Sequence, residues 1–237
     1  MINILDCTTR DGGHETKWNF EEVFVNTLMD FLNKSNVSYY EIGYRNHLDT
    51  EGKGDFYTCK PEFLKPFYEN KGNLQLGVMT DYKRYNANDF PDKKHDYIDF
   101  VRIACHPDKI GETLKVAEDL HQKGYKIFIQ LMEIQNVGAD GYIELFQWKN
   151  KNILESLYFA DSYSALKPED IEKYYNKLKT IGYENLSFHA HNEQGFALEN
   201  SLRAAELGCY TIDTTFNGIG RGGGNLKLQE LLENLPN

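Results

Sequence analysis

The chain is 237 residues long, 41% hydrophobic, and carries a formal net charge of −10. That apolar content excludes general disorder, and an acidic chain whose Lys and Arg are scattered among carboxylates excludes a nucleic-acid partner. No run reaches the roughly eighteen apolar residues of a membrane span. The opening Met1-Ile2-Asn3-Ile4-Leu5 carries no basic leader region. Cys7, Cys59, Cys105 and Cys209 form no C-x-x-C pair; free thiols in a reducing cytoplasm are expected, not disulfides or a cysteine zinc site.

Taken in chain order, short β-branched or aromatic runs alternate with helical patterns. Residues 2–8 read as a strand. Asn19 with Glu22 three residues on reads as a capping box opening a helix toward Asn33. Strands at 39–44 and 74–80 follow, then a weakly helical stretch from Asn86 to Lys94 and a strand at 100–104. Pro107-Asp108 opens a helix reaching Lys123, stopped by Gly124. Strands at 126–133 and 156–161 precede a helix opened by Pro168-Glu169-Asp170 and closed by Gly182. A strand at 186–191, a helix from beyond Gln194 to Leu207 and Gly208, and a strand at 211–216 complete the series. Gly124-Tyr125, Gly182-Tyr183 and Gly208-Cys209-Tyr210 look like one αβ turn used three times.

Eight such units in a chain of this length predict an α/β fold, a single-domain (β/α)8 TIM barrel over residues 1–237, for which about 250 residues is typical. An open doubly wound sheet is the rival, but no G-x-G-x-x-G follows the first strand. The glycine-rich residues 218–224 read as a loop within the pattern, not a linker.

A barrel gathers its chemistry at the C-terminal ends of its strands. There this chain puts Asp6, Arg10, Asp11 and His14 after the first strand, and Glu41, Arg45 and His47 at the second. Arg102 and His106 end the fourth, Asp161 and Ser162 the sixth, and His189, His191 and Asn192 the seventh, with Asn217 to Asn225 after the eighth. In Phe188-His189-Ala190-His191-Asn192 the imidazoles stand two apart, so on a strand they share a face and make a ready pair of divalent-metal ligands. A surface or packing pair is the alternative. Asp11 would complete a triad suited to Mn²⁺ or Mg²⁺, and also to Zn²⁺ or Co²⁺; otherwise it is a turn residue before Gly12-Gly13. Arg10 could aim a fixed fork at an enolate or carboxylate oxygen, or form a surface ion pair. His14 could serve as a base, or be a loop histidine facing water. The glycine-rich loop could wrap an anion with backbone N–H groups, or simply turn.

Leu5-Asp6-Cys7-Thr8-Thr9-Arg10-Asp11-Gly12 resembles the opening motif of the metal-dependent lyase and aldolase barrels that include 4-hydroxy-2-oxovalerate aldolase, hydroxymethylglutaryl-CoA lyase and isopropylmalate synthase. The His189–His191 segment, followed by Gly195, Asn200, Ala204 and Gly208, is similar to their seventh strand and helix, and Gly218-Ile219-Gly220-Arg221-Gly222-Gly223-Gly224-Asn225 to their glycine loop. Val101-Arg102-Ile103-Ala104-Cys105-His106 and Tyr158-Phe159-Ala160-Asp161-Ser162 resemble the hydroxy-oxo-acid aldolase branch most. This resemblance implies Asp11, His189 and His191 as ligands of a divalent metal, with Asn225 at or beside it. Arg10 would hold the enolate oxygen and His14 would take the hydroxyl proton. Ser162 would help seat the substrate carboxylate, while Asp6 and Glu41 orient the metal shell; Asp161, Arg45 and His106, by their places at the strand ends, are further candidates for substrate binding. The implied reaction is reversible aldol cleavage of a 4-hydroxy-2-oxo acid. Its implied partners are a small 2-oxo acid and an aldehyde, with a homodimer as the candidate assembly.

Some positions depart from the pattern. The lyase branch has a catalytic cysteine in the glycine loop, where this chain has Arg221 and no cysteine; that disfavours acyl-CoA cleavage. The chain ends at Asn237, after the eighth helix, so the further domain of the hydroxyoxovalerate aldolases and its dehydrogenase partner are not expected, and whether the chain is full length stays open. Arg45, His47, Lys53 and Gly54 replace the usual small polar residues of the second loop. A preference for a phosphorylated or acidic aldehyde is one reading of that loop, and a solvated surface the other. An acyl-CoA lyase or Claisen-type synthase on the same fold, and a non-catalytic barrel module of a larger enzyme, remain the alternative functions.

Overall fold

The structure, a computed structural model, describes residues 2–235; Met1, Pro236 and Asn237, which the expected domain includes, lie outside the described residues. Strands β1 (Asn3–Asp6), β2 (Tyr39–Tyr44), β3 (Gln75–Asp81), β4 (Phe100–Cys105), β5 (Lys126–Leu131), β6 (Leu154–Asp161), β7 (Leu186–Ala190) and β8 (Thr211–Thr214) pair in chain order. Every pairing is parallel, and β8 closes on β1. This is the expected (β/α)8 barrel. Strands β1, β5, β7 and β8 stop one or two residues before the expected ends, where the chain turns into the short helices and loops of the barrel mouth.

Short helices α1 (Thr8–Asp11) and α2 (Gly13–Thr16) follow β1. The outer layer is α3 (Glu22–Lys34), α4 (Pro61–Glu69), α5 (Ile110–Gln122), α6 (Ala139–Gln147), α7 (Pro168–Thr180), α8 (Ala197–Glu206) and α9 (Leu228–Asn234). The crossover from β3 to β4 has no α-helix among the described residues, only 3₁₀ turns at Ala87–Asp89 and Lys93–His95. Its sequence lacks a helical apolar stripe. Instead Phe90, almost fully buried, packs beside Tyr85 and Tyr125 with ring centroids 5.4 and 6.2 Å away.

Two helix starts differ from expectation. Helix α3 begins at Glu22 without a side-chain cap, and Asn19 is spent on the preceding turn, its amide donating to the Thr16 and Lys17 carbonyls at 3.5 and 3.3 Å. Helix α5 begins at Ile110, with Pro107 and Asp108 in the turn before it. The α7 start holds half of a capping box: Lys167 N–H donates to Asp170 Oδ2 at 3.1 Å, while the Lys167 side chain has no acceptor to return the bond. The three Gly-terminated turns are alike. Gly124, Gly182 and Gly208 take φ of 93, 95 and 87°, and the next residue's N–H reaches back to Leu120, Leu178 and Ala204 carbonyls at 3.3, 3.3 and 3.0 Å. That closure is the Schellman pattern, which needs a left-handed residue.

Alternation along the strands divides the core in two. Residues pointing outward, such as Val101, Ile103, Ile129, Phe159, Phe188 and Ile212, pack against the helices in the main cluster. Leu5, Cys7, Tyr39, Phe100, Phe128 and Tyr158 point inward and form a separate cluster on the barrel axis. Its rings meet edge to face at centroid distances of 5.3–5.9 Å. No helix among the described residues is long and apolar enough to cross a membrane.

Gly77 on β3 makes room for this aromatic plug, since a Cβ there would fall inside the Phe100 ring. Gly77→Ala is expected to destabilise the barrel by about 1–3 kcal/mol through overpacking. An unchanged urea midpoint would show that the ring has room to move.

Candidate active site

The same alternation sets a layer of charge on the aromatic plug. Two residues beyond Tyr39 and Phe100 come Glu41 and Arg102, and Asp213 and His189 join them inside the barrel, all nearly inaccessible to solvent. Arg102 Nε and Nη2 donate to the Glu41 carboxylate, both at 2.6 Å. Its Nη1 donates to Asp213, and its guanidinium lies 4.8 Å from the Tyr158 ring centroid. Asp213 Oδ2 also accepts from His189 Nδ1 at 2.8 Å. On the other side Glu41 Oε1 accepts from Arg10 Nε at 2.5 Å, and Arg10 Nη1 donates to Asp11 Oδ1 at 2.7 Å. Asn225 Nδ2 donates to Asp11 Oδ2, and to the Ile219 carbonyl at 3.1 Å. The chain Asn225–Asp11–Arg10–Glu41–Arg102–Asp213–His189 begins and ends at one place. There ligand atoms of Asp11, His189 and His191 lie within 4.8 Å of one another.

The donor set fits a divalent cation. Asp11, Glu41 and Asp213 outnumber Arg10 and Arg102, which leaves this buried network one negative charge in excess when the imidazoles are neutral. Because His189 gives its Nδ1–H to Asp213, its Nε2 lone pair is bare, and that atom and Asn225 Oδ1 are buried without a partner. Burial, with His189 adjacent, pushes His191 down to about 4, so its ring is neutral near pH 7. Burial opposes the charged form of Asp11, but Arg10, the two histidines and Asn225 outweigh it and hold the carboxyl well below the usual range. Gly220 lets the glycine loop close over these groups, for a Cβ there would overlap the Asn225 amide and come within 2.7 Å of Asp11 Oδ2. Cys7, His189 and Asp213 make a second cluster, but burial raises the Cys7 thiol pKa well above its ordinary value and the thiol faces the Thr214 carbonyl at 3.4 Å. It remains a protonated neighbour of the His189–Asp213 pair.

Arg10 is buried and keeps Nη2 unpartnered. Trp18 clasps its backbone, with Nε1 donating to the Arg10 carbonyl at 2.9 Å. To do so Lys17 and Trp18 both adopt left-handed backbone, φ 56 and 57°. His14 packs edge-on against Trp18 and Tyr44, centroids 4.9 and 6.4 Å away, while one edge stays open to solvent. Partial burial lowers its pKa to about 4, assisted by Arg10, Arg221 and Lys53 and opposed by Asp11.

Not every expected site residue converges here. Arg45 is buried in an ion pair with Asp96, donates from Nε to the Cys59 carbonyl at 2.9 Å and lies over Phe90; it braces the β2 loop and is not free to seat a substrate. That loop lines a cavity of about 700 Å³ with Asn46, Thr50 and Lys53. Asp161 is likewise committed, its two oxygens accepting from Ala165 and Leu166 N–H at 2.9 and 3.1 Å. Ser162 Oγ accepts from Glu133 N–H at 2.9 Å. His106 is half-buried beyond β4, its carbonyl closing the turn to Lys109 at 3.0 Å. Asp6 accepts from Thr8 N–H at 2.9 Å and leaves Oδ2 buried and bare. The sequence reading missed Asp213 and assigned no role to Arg102. The available signal was a lone carboxylate in Thr211-Ile212-Asp213-Thr214, a strand buried on both faces, where charge requires a partner.

A family model described as HMGL-like matches residues 107–237. The chain is 28% identical over 236 residues to a 4-hydroxy-2-oxovalerate aldolase of Carboxydothermus hydrogenoformans, covering 98% of this chain and 69% of that protein. It is 25% identical over 232 residues to an oxaloacetate decarboxylase of Mycobacterium tuberculosis, covering 97% and 68%. Among solved structures, an N-terminal domain from Bacteroides vulgatus, assigned only provisionally as an aldolase, superposes with a TM-score of 0.89 at 28% identity, over 98% of this chain and 78% of that one. A Bacillus subtilis HMG-CoA lyase, at 16% identity and a TM-score of 0.73 over 98% and 84%, shares the fold.

Asp213→Asn replaces the carboxylate that keeps the proton on His189 Nδ1 by a neutral amide whose NH2 group can turn toward that nitrogen, and Mn²⁺ affinity is expected to fall about 10–100-fold; a titration within threefold of wild type would refute that role. Burial, with Asp213 nearby, raises Asp6 to about 7 from 3.8. Its proton therefore favours the fold fully below pH 3.8, and this contribution is lost as pH rises through 7. Asp6→Asn removes that loss, so its Tm advantage over wild type in chelator should grow between pH 5 and pH 8. A constant difference would show that Asp6 ionises normally.

Proposed function

The chain belongs to the HMGL-like family, and on that footing we propose that it is a divalent-metal-dependent aldolase cleaving or forming a 4-hydroxy-2-oxo acid through a pyruvate enolate. One observation carries the reading: the Asp11, His189 and His191 ligand atoms converge within 4.8 Å beside the unpaired Nη2 of Arg10, with His14 packed on the Trp18 that clasps Arg10. Asp11, His189 and His191 would hold the ion, with Asn225 Oδ1 as a fourth donor. Mixed oxygen and imidazole donors support Mn²⁺ or Mg²⁺. The bound ion supplies Lewis acidity to the 2-oxo acid.

The chain's own groups perform the rest. Neutral His14 takes the C4-hydroxyl proton, the C3–C4 bond breaks, the aldehyde departs, and the electron pair remains on the pyruvate fragment as its enolate. Arg10, held by Glu41 and Asp11, offers Nη2 to the developing enolate oxygen, a donor already desolvated and in place. Free, buried thiols at Cys7, Cys59, Cys105 and Cys209 support a reducing, cytoplasmic setting.

A decarboxylase reading, favoured by the Mycobacterium tuberculosis relative, passes through the same enolate but needs no base at His14. The test is pyruvate release by Mn²⁺-loaded protein from 4-hydroxy-2-oxo acids and from oxaloacetate. Aldol cleavage is expected to vanish with chelator and to drop about 10²–10⁴-fold in His14→Ala, with Mn²⁺ binding retained. Cleavage that survives in His14→Ala would refute the base, and turnover of oxaloacetate alone would establish the decarboxylase.

A further inference from the structure

Two cations at the barrel mouth stand outside the buried charge network. Lys53 Nζ stands 3.8 Å from the Tyr57 ring centroid and 5.5 Å from that of Trp18, the same indole on which His14 packs. Its position is pinned, since Gly54 N–H donates to the Lys17 carbonyl at 2.9 Å and Gly54 is pressed so closely on Trp18 that a Cβ would overlap its backbone. Arg221 stands one residue after the Gly220 that covers Asp11 and Asn225. Gly223 is seated equally tightly on Glu193, and Gly224 N–H donates to the Arg221 carbonyl at 3.3 Å. Neither Lys53 nor Arg221 enters an ion pair among the described residues, whereas Arg45 is tied to Asp96 and His47 to the Arg84 carbonyl at 2.8 Å. Lys53 thus shares an indole with His14, and Arg221 adjoins the loop residue that closes over Asp11.

We propose that Lys53 and Arg221 form an anion-binding subsite that selects aldehydes bearing a terminal anionic group, a carboxylate or a phosphate. The inference rests on the aldolase reading. If His14 takes the C4-hydroxyl proton, the substituent on C4 must lie at the barrel mouth beside His14, between the loop that carries Lys53 and the glycine loop that carries Arg221. An exposed loop built only for solubility would not wedge a lysine between two aromatic faces beside the base. A charge-assisted contact from each, screened only in part by water, corresponds to about a tenfold preference or more.

The experiment condenses pyruvate, on the Mn²⁺-loaded protein, with butanal, succinic semialdehyde or glyceraldehyde 3-phosphate, and follows deuterium exchange into the pyruvate methyl group in parallel. The expected result is at least a tenfold higher kcat/KM for one anionic aldehyde than for butanal, with the higher of the two anions naming the group. In Lys53→Met and in Arg221→Gln that ratio should fall at least fivefold, carried by KM. Exchange with equal use of butanal, or a ratio unchanged in both variants, overturns the subsite while the aldolase reading stands. Absence of exchange overturns the aldolase reading and the subsite with it.

Discussion

A guanidinium sealed on the axis of the barrel governs this structure. Arg102 has no access to water, and an unpaired charge there would cost several kcal/mol. Its environment has to supply carboxylates, and Glu41 does so from β2 and Asp213 from β8, across the barrel from β4. Each is then fixed by Arg102 and free to fix a second group: Glu41 holds Arg10, and Asp213 holds His189. One buried cation thereby sets the position of groups contributed by β4, β2, β8, β7 and the first loop. Such networks add little net stability compared with apolar packing. What this one supplies is orientation, because every member has its rotamer set by the next.

At the mouth, close approach and backbone strain replace packing. The glycine loop comes near enough to Asp11 and Asn225 that side chains at Gly220 or Gly223 would collide with their neighbours. Lys17 and Trp18 accept consecutive left-handed conformations, which buries the Trp18 ring and lets its indole N–H secure the Arg10 carbonyl. Local strain at a few residues is offset by burial of a large ring, and the outcome is a histidine and an arginine presented beside the same metal-ligand cluster.

Much of the fold was legible because it depends on local periodicity. Alternating apolar residues locate all eight strands to within two residues, and the glycine-terminated turns announce themselves by a residue that only a left-handed position favours. Where the local pattern was weak, between β3 and β4, no α-helix formed. The cap at Asn19 failed for a different reason: its side chain found carbonyls of the preceding turn before it could serve the helix.

The site divides along the same line. That two imidazoles project from one face of β7 follows from strand geometry alone, and the sequence by itself determined it, together with the closed barrel that turns such residues toward a common mouth. Only the tertiary structure decided that Asp11 meets them, that Arg45 and Asp161 are consumed by Asp96 and by the Ala165–Leu166 backbone, and that Lys53 and Arg221 enter no ion pair among the described residues. The physical reason is that a charged side chain's partner is set by which strands and loops the barrel brings together, across separations as long as the 214 residues between Asn225 and Asp11, whereas periodicity acts over a few residues.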